Sequence, residues 1–217
     1  MANLFAHRGF WQEKNFQNTI ASLDAAYAQK FFGVEFDIWL IDGELVLKHD
    51  EPRAGEVLPF FHDYLKFGNE FHYWLDFKNL NEANLDEVFE LVKIALEEKK
   101  LDLNKFYFAP FITDYDLARK VLQKAREVFG KKIHFTAVCD RHVNLEKMQH
   151  FIEKNSVKHL SIFHQFLDKN LLENLGDIEI FAWTVNDKNR LFELEALGVK
   201  NFATDQITPQ IYGETKT

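Results

Sequence analysis

Eight short apolar runs punctuate the chain, and their spacing is the strongest constraint on its fold. They read NLFAHR, GVEFDIWL, HYWLDFK, KFYFAPF, IHFTAVCD, HLSIFHQ, IEIFAWTV and NFATD. Each has strand length and is rich in Phe, Ile, Val and Trp. Helical patterns fill the gaps, among them NTIASLDAAYAQK, with Asn18 as its expected N-cap, and NDKNRLFELEALG, which stops at Gly198. One extra pair, WLIDGELVLKHD, carries Asp42-Gly43, a hairpin turn signal. Strands alternating with helices predict a TIM (β/α)8 barrel. An open doubly wound sheet is the alternative. At 217 residues the chain is compact for a barrel, a fold of typically about 250 residues. No low-complexity linker divides it, so residues 1–217 are expected to form a single domain.

Composition removes several function classes. Thirty-four acidic residues against 26 basic ones leave a net charge of −8, which argues against nucleic acid as a partner. An anionic ligand then needs a local cationic pocket. A single cysteine, Cys139, excludes an internal disulfide and reads as a small core residue. Twenty-three phenylalanines point to a Phe-rich core rather than a lipid-facing surface. No apolar run spans a bilayer and no secretory leader pattern opens the chain, so no stable membrane insertion and a cytoplasmic location are expected. There is no G-x-G-x-x-G and no P-loop, hence no support for a nucleotide cofactor. Oligomeric state is not specified.

In a barrel, catalytic groups sit at the C-terminal ends of strands. The first run ends in His7-Arg8. The second carries Glu35 and Asp37, which share one face by their spacing of two, while Val34, Phe36 and Ile38 share the other. The hairpin ends in His49-Asp50. The third run carries Asp76 and Lys78, again on one face. The seventh ends near Trp183 and Asn186, the eighth in Thr204-Asp205. Glu35, Asp37 and Asp76 would converge in the barrel mouth. At about 4 Å and an effective dielectric near 20, each like-charge pair costs roughly 4 kcal/mol. Such carboxylates must protonate, pair with cations or hold a metal. All-oxygen ligands suit one hard divalent ion, Mg²⁺ or Ca²⁺, with Mn²⁺ also compatible; an ion-pair network with Arg8 and Lys78 is the alternative. His62, His72, His134, His142, His150 and His159 have no constellation around them, and His164 is expected to face away from the site.

The elements AHRG, NT, VEFDIWLIDGELVLKHDEP, LDFK, WTVND and LGVKNFATD, in this order, resemble the glycerophosphodiester phosphodiesterases. The resemblance runs from about Phe5 to Asp205. It implies a TIM barrel with one divalent ion, held by Glu35, Asp37 and Asp76. It makes His7 and His49 the acid-base pair, Arg8 and Lys78 the phosphate-binding cations, and Trp183 a packing surface for the alcohol portion. The implied reaction is hydrolysis of a small glycerophosphodiester to an alcohol and glycerol 3-phosphate.

Three departures from the family pattern bear on that reading. Its Pro-Glu-Asn-Thr is here Phe16-Gln17-Asn18-Thr19, which drops a charge. The third-strand Glu is Asp76, one methylene shorter. The small cap that usually follows the HD motif has no room in residues 51–71, so the insertion there is shortened. Two other functions follow. One is phospholipase D-like activity on lysophospholipids, for which Phe10, Trp11, Phe108 and Phe111 would line an open mouth. The other is a catalytically weak barrel that binds a phosphorylated ligand, motivated by Gln17 and Asp76.

Overall fold

The structure, a computed structural model, describes residues 2–13, 16–112, 114–130, 133–140 and 144–214; His142 lies outside the described residues. Nine strands form one sheet: β1 Asn3–His7, β2 Gly33–Ile41, β3 Glu44–Leu47, β4 His72–Phe77, β5 Phe106–Pro110, β6 His134–Cys139, β7 His159–Phe163, β8 Glu179–Trp183 and β9 Asn201–Thr204. Their order is β1-β9-β8-β7-β6-β5-β4-β2-β3, and a further β1–β2 pairing closes the ring. Eight strands therefore make a parallel barrel, as the alternating runs predict. The ninth, β3, is the antiparallel arm of the Asp42-Gly43 hairpin. Within the sheet it pairs with the end of β2, from Ile38↔Leu47 to Ile41↔Glu44, beyond most of the stretch that pairs with β4, and an isolated antiparallel bridge joins its Val46 to Phe60. Asp42 and Gly43 both have positive φ, at 49° and 79°, as a two-residue hairpin turn requires.

The helices are α1 Ile20–Ala28, α2 Phe61–Tyr64, α3 Leu85–Glu98, α4 Tyr115–Phe129, α5 Leu145–Asn155, α6 Lys169–Leu175, α7 Lys188–Ala196 and α8 Pro209–Gly213. Between β3 and β4 only the four-residue α2 and a 3₁₀ turn at Gly68–Glu70 are regular, so the connection is short, as residues 51–71 predict. No described helix is long and apolar enough to cross a membrane.

Strand parity sorts the core into two layers. Val34, Phe36, Leu75, Phe108, Leu160 and Phe202 face outward against the helices. Phe5, Trp74, Tyr107, Ala109, Val138, Phe181 and Ala203 fill the barrel. Inside, Phe5 meets Trp74 edge-on at 5.7 Å, and Trp74 meets Phe181 at 5.1 Å. Each such buried aromatic stabilises the fold by about 1.5–3 kcal/mol through area alone, with about 0.5–1.5 kcal/mol more for each favourable ring pair. This plug seals the barrel between its two ends. Gly33 has no alternative here: a Cβ would lie 2.4 Å from the His72 carbonyl oxygen and 2.7 Å from the Phe5 ring.

Below the plug, at the N-terminal end, is a polar belt that the sequence reading missed. Asn3 donates to Asn201 (2.9 Å), Asn201 to Glu179 (2.8 Å), and His159 Nε2 lies 3.4 Å from Glu179. The His134 and His159 rings are 4.9 Å apart, and Lys105 Nζ stands 3.5 Å from His72 Nε2. These three histidines thus do have neighbours, on the face away from the barrel mouth. Cys139 is buried and unpaired; burial pushes its thiol up to about 12, consistent with a packing role.

Candidate active site

At the C-terminal end the inward-facing positions of β1, β2 and β4 become charged. His7, Arg8, Glu35, His49, Asp76, Lys78 and Trp183 line one cavity of about 160 Å³. Asp37 lies just beneath it, 1% exposed. The structure therefore brings all eight sequence-predicted site residues together.

The turn after β1 aims the first pair. Arg8 has φ +58° and Gly9 φ +80°. A Cβ on Gly9 would lie 2.3 Å from Ser22 Oγ, so only glycine fits. The Arg8 carbonyl accepts from the Asn18 amide (2.9 Å) and the Ser22 hydroxyl (3.2 Å). Ser22 also accepts from the Thr19 amide at 3.2 Å, while Thr19 Oγ1 accepts from the Ser22 amide at 3.1 Å. The N-cap of α1 is therefore Thr19, not Asn18. Asn18 is occupied elsewhere: at φ +55° and 1% exposure, it donates to Asp37 Oδ2 (2.8 Å) and accepts from the Asp37 amide (3.2 Å).

Asp37 is the hub of an ion-pair network. Arg8 Nε lies 3.2 Å from its Oδ2 and Lys78 Nζ 2.7 Å from its Oδ1. Lys78 also reaches Asp76 Oδ2 at 2.6 Å, and its Nζ lies 5.0 Å from the centre of the Phe111 ring. Burial alone would raise the Asp37 carboxyl, but Lys78 and Arg8 outweigh it and hold the group below its ordinary range. Burial pulls the Lys78 ammonium down, yet Asp76 and Asp37 more than reverse this and raise it. Glu35 fares differently. It accepts from the Arg8 amide at 3.0 Å, but burial, then repulsion from Asp37 and Asp76, push its carboxyl well above the usual carboxylate range. Asp76 is raised too, by burial foremost. With all three carboxylates ionised, the two fixed cations leave the cluster one positive charge short.

These residues fit a divalent ion. Glu35, Asp37 and Asp76 each present a carboxylate oxygen within 4.8 Å of the others. Two oxygens on one ion, each at about 2.0–2.6 Å, fall within that separation. Asp76 Oδ1 is buried without a hydrogen-bond partner among the described residues, so the shorter side chain still presents a free ligand atom.

The histidines flank this cluster. His7 Nε2 lies 3.8 Å from Glu35, and its Nδ1 lies 2.7 Å from Asp205 Oδ1. Asn186 donates to the other Asp205 oxygen at 2.8 Å and accepts from the Asp205 amide at 2.8 Å. Burial would raise the Asp205 carboxyl, but the hydrogen bond and charge of His7, with Asn186, leave it below the usual range. Asp205 is thus an acceptor and His7 Nδ1 the donor. Asp205 and Asn186 were visible in sequence as strand-end residues, but no local signal paired them with His7. His49 Nδ1 lies 2.7 Å from Asp50. Burial, opposed by Asp37 and assisted by Arg8, lowers the His49 imidazole below its ordinary value.

Around the mouth, Gln17 keeps a role without its charge, accepting from Arg8 Nη1 at 3.2 Å. Trp183 packs 5.5 Å from Phe163 and 6.2 Å from Phe111, and its indole N–H has no hydrogen-bond partner among the described residues. Of the four aromatics that would open the mouth to lysophospholipids, only Phe111 lines the cavity. Phe108 is 1% exposed and packs against Phe77 and Phe89 on the helix side. Phe10 packs on Phe31 at 5.6 Å, and the Trp11 indole donates to the His7 carbonyl at 3.0 Å. His164 packs on Phe163 at 5.3 Å and is not among the cavity residues.

Solved structures of similar fold carry related names. A phosphodiesterase from Oleispira antarctica, in complex with the product sn-glycerol-3-phosphate, superposes with a TM-score of 0.79 at 18% identity, over 100% of this chain and 98% of that one. A glycerophosphodiester phosphodiesterase from Parabacteroides distasonis gives 0.77 at 20% identity, over 100% and 99%. A calcium-dependent phosphoinositol-specific phospholipase C from Pseudomonas is more distant, with a TM-score of 0.59 at 11% identity, over 94% and 89%. Among curated proteins, no match to the chain was found. The sequence profile of the Glycerophosphoryl diester phosphodiesterase family matches residues 7–166. That stretch is most of the chain and contains every charged group of the mouth except Asp205, so the chain belongs to the glycerophosphoryl diester phosphodiesterase family and is a phosphodiesterase.

Proposed function

We infer that the chain hydrolyses small glycerophosphodiesters to an alcohol and glycerol 3-phosphate at the barrel mouth. The observation that carries this reading is the convergence of two histidines, two cations and three carboxylates on one small cavity. Arg8 and Lys78 supply the local positive charge that a net-acidic protein needs to hold a phosphodiester. Glu35, Asp37 and Asp76 would hold one divalent ion, Mg²⁺ or Ca²⁺, with Mn²⁺ also compatible. Bound there, the ion would neutralise charge on the phosphoryl oxygens. The Arg8 guanidinium is fixed by Gln17 and Asp37, so it stabilises developing charge without reorganising.

Hydrolysis forms a bond from water oxygen to phosphorus and breaks the bond from phosphorus to the leaving alcohol oxygen. One imidazole takes a proton from the attacking water and the other gives a proton to the leaving oxygen. His7 suits such a role because Asp205 fixes its tautomer, leaving the Nε2 lone pair free. His49, whose imidazole burial lowers below its ordinary value, is the second. Gln17 and Asp76 do not require a catalytically weak barrel: each makes the contact its position allows. The test is incubation with glycerophosphocholine and identification of products. Choline and glycerol 3-phosphate are expected. Phosphocholine with glycerol, or no cleavage, would overturn the reading.

A further inference from the structure

The cavity at the barrel mouth has two unlike walls. The charged groups come from β1, β2 and β4, together with His49 from the hairpin. The remaining wall comes from β5 to β8 and is apolar at Ala109, Phe111, Val138 and Trp183. One residue breaks that pattern. Ser161, on β7, lines the same cavity and is 4% exposed. In the closed ring β7 stands four strands from β2 in either direction, so Ser161 faces Glu35 across the barrel.

The Ser161 hydroxyl makes no hydrogen bond to any described residue. Its oxygen is not sealed inside the wall but opens onto the cavity, where a hydroxyl can reach it. Its register neighbours show what packing alone would place there: Val138 on β6 and Phe181 on β8. A serine there sets a polar group in a wall otherwise built from Val, Ala and aromatics. It offers one donor and two acceptor sites to a space of about 160 Å³, suited to a three-carbon polyol, not an acyl chain.

We propose that Ser161 is the specificity group for the hydroxyl-bearing half of the substrate, binding a hydroxyl of the retained glycerol. The orientation follows from the rim. The His49 side chain is 41% exposed, and it also lines an outer cleft of about 460 Å³ with Gln17, Thr19, Val57 and Pro59. A diester gripped at phosphorus by Arg8 and Lys78 then places glycerol inward toward Ser161 and its other alcohol outward past His49. This assignment rests on the diesterase reading above.

The test compares two diesters with one leaving group, glyceryl p-nitrophenyl phosphate and propyl p-nitrophenyl phosphate, on wild type and Ser161→Ala. The readout is the ratio of their kcat/KM values, in which folded fraction and general active-site damage cancel. The wild type should favour the glyceryl diester, and Ser161→Ala should shrink that preference by about tenfold or more. Loss of a hydrogen bond made to bound substrate is expected to act on this scale. An unchanged ratio would overturn the proposal. A second arm measures calorimetric binding of sn-glycerol 3-phosphate against propyl phosphate to the same proteins. Absence of any turnover by the wild type would count against the diesterase reading. The binding preference, and its loss or retention in Ser161→Ala, would still decide the role of Ser161. Should the alanine variant fail to fold, Ser161→Cys keeps the volume and weakens the hydrogen bond; it must shrink the same ratio.

Discussion

His7 Nδ1 and Asp205 Oδ1 lie 2.7 Å apart although 198 positions separate them in the chain. The contact joins the first barrel strand to the end of the last, and Asn186 holds the carboxylate from its far side. Asp205 is therefore a positioning residue for His7. Asp205→Asn offers an amide that can turn its NH2 toward Nδ1, so the tautomer with Nε2 free is no longer enforced. We expect kcat to fall at least tenfold with KM changed much less, and Asp205→Glu to recover part of the rate. A loss confined to KM, or no recovery by Glu, would reduce Asp205 to a structural contact.

Gly9 is the most demanding backbone position at the mouth. Gly9→Ala forces a side chain into φ +80° and places Cβ 2.3 Å from Ser22 Oγ. Backbone strain alone should cost about 1–3 kcal/mol, with more if Ser22 must release the Arg8 carbonyl. Urea unfolding of the variant should show a lowered midpoint with an unchanged slope; an unchanged midpoint would refute the steric account.

The polar belt at the barrel base predicts a pH dependence of stability. Burial, with Lys105 nearby, lowers the His72 imidazole to about 4 from its ordinary 6.5. The unfolded chain then binds a proton between pH 6.5 and 4 that the folded chain does not. Stability from this group is fully present above pH 6.5 and is lost as pH falls toward 4. His134 is lowered as well, by burial and by His159, and acts in the same direction. His72→Gln should flatten the fall in melting temperature between pH 6.5 and 4.5. An equally steep fall in the variant would remove His72 from the account.

Head-group discrimination should be weak. The segment between Asp50 and His72 contributes no residue to the phosphate-binding cavity and only Val57, Leu58 and Pro59 to the outer cleft beside His49, so few contacts reach the outward alcohol. The kcat/KM values for glycerophosphocholine and glycerophosphoethanolamine should lie within about 1–3 kcal/mol of each other, the range modest pocket contacts supply. A much larger preference for one head group would mean that another element rebuilds the missing cap.

The parts of this molecule legible in the sequence are those fixed by local rules. Strand parity alone puts Glu35 with Asp37 and Asp76 with Lys78, and Asp42-Gly43 fixes its own turn. Parity also explains Phe108, which shares the helix-facing side with Phe106 rather than the mouth with Phe111. What stayed hidden depends on distant partners. Asn18 looks like a helix cap because its side chain suits one, yet Asp37 claims it and Thr19 takes the cap. Asp205 and Ser161 have ordinary strand surroundings; only barrel closure sets one beside His7 and the other across from Glu35. The histidines at the base seemed isolated because their neighbours come from separate strands.

Diester hydrolysis is expected at a site where Glu35, Asp37 and Asp76 hold a divalent ion. The most direct measurement is glycerol 3-phosphate release from glycerophosphocholine by chelator-stripped protein, repeated after adding back Mg²⁺, Ca²⁺ or Mn²⁺. The stripped protein should be nearly inactive, and one of these ions should restore the rate. A rate in chelator equal to that of the untreated protein, with no response to added ion, would contradict the account.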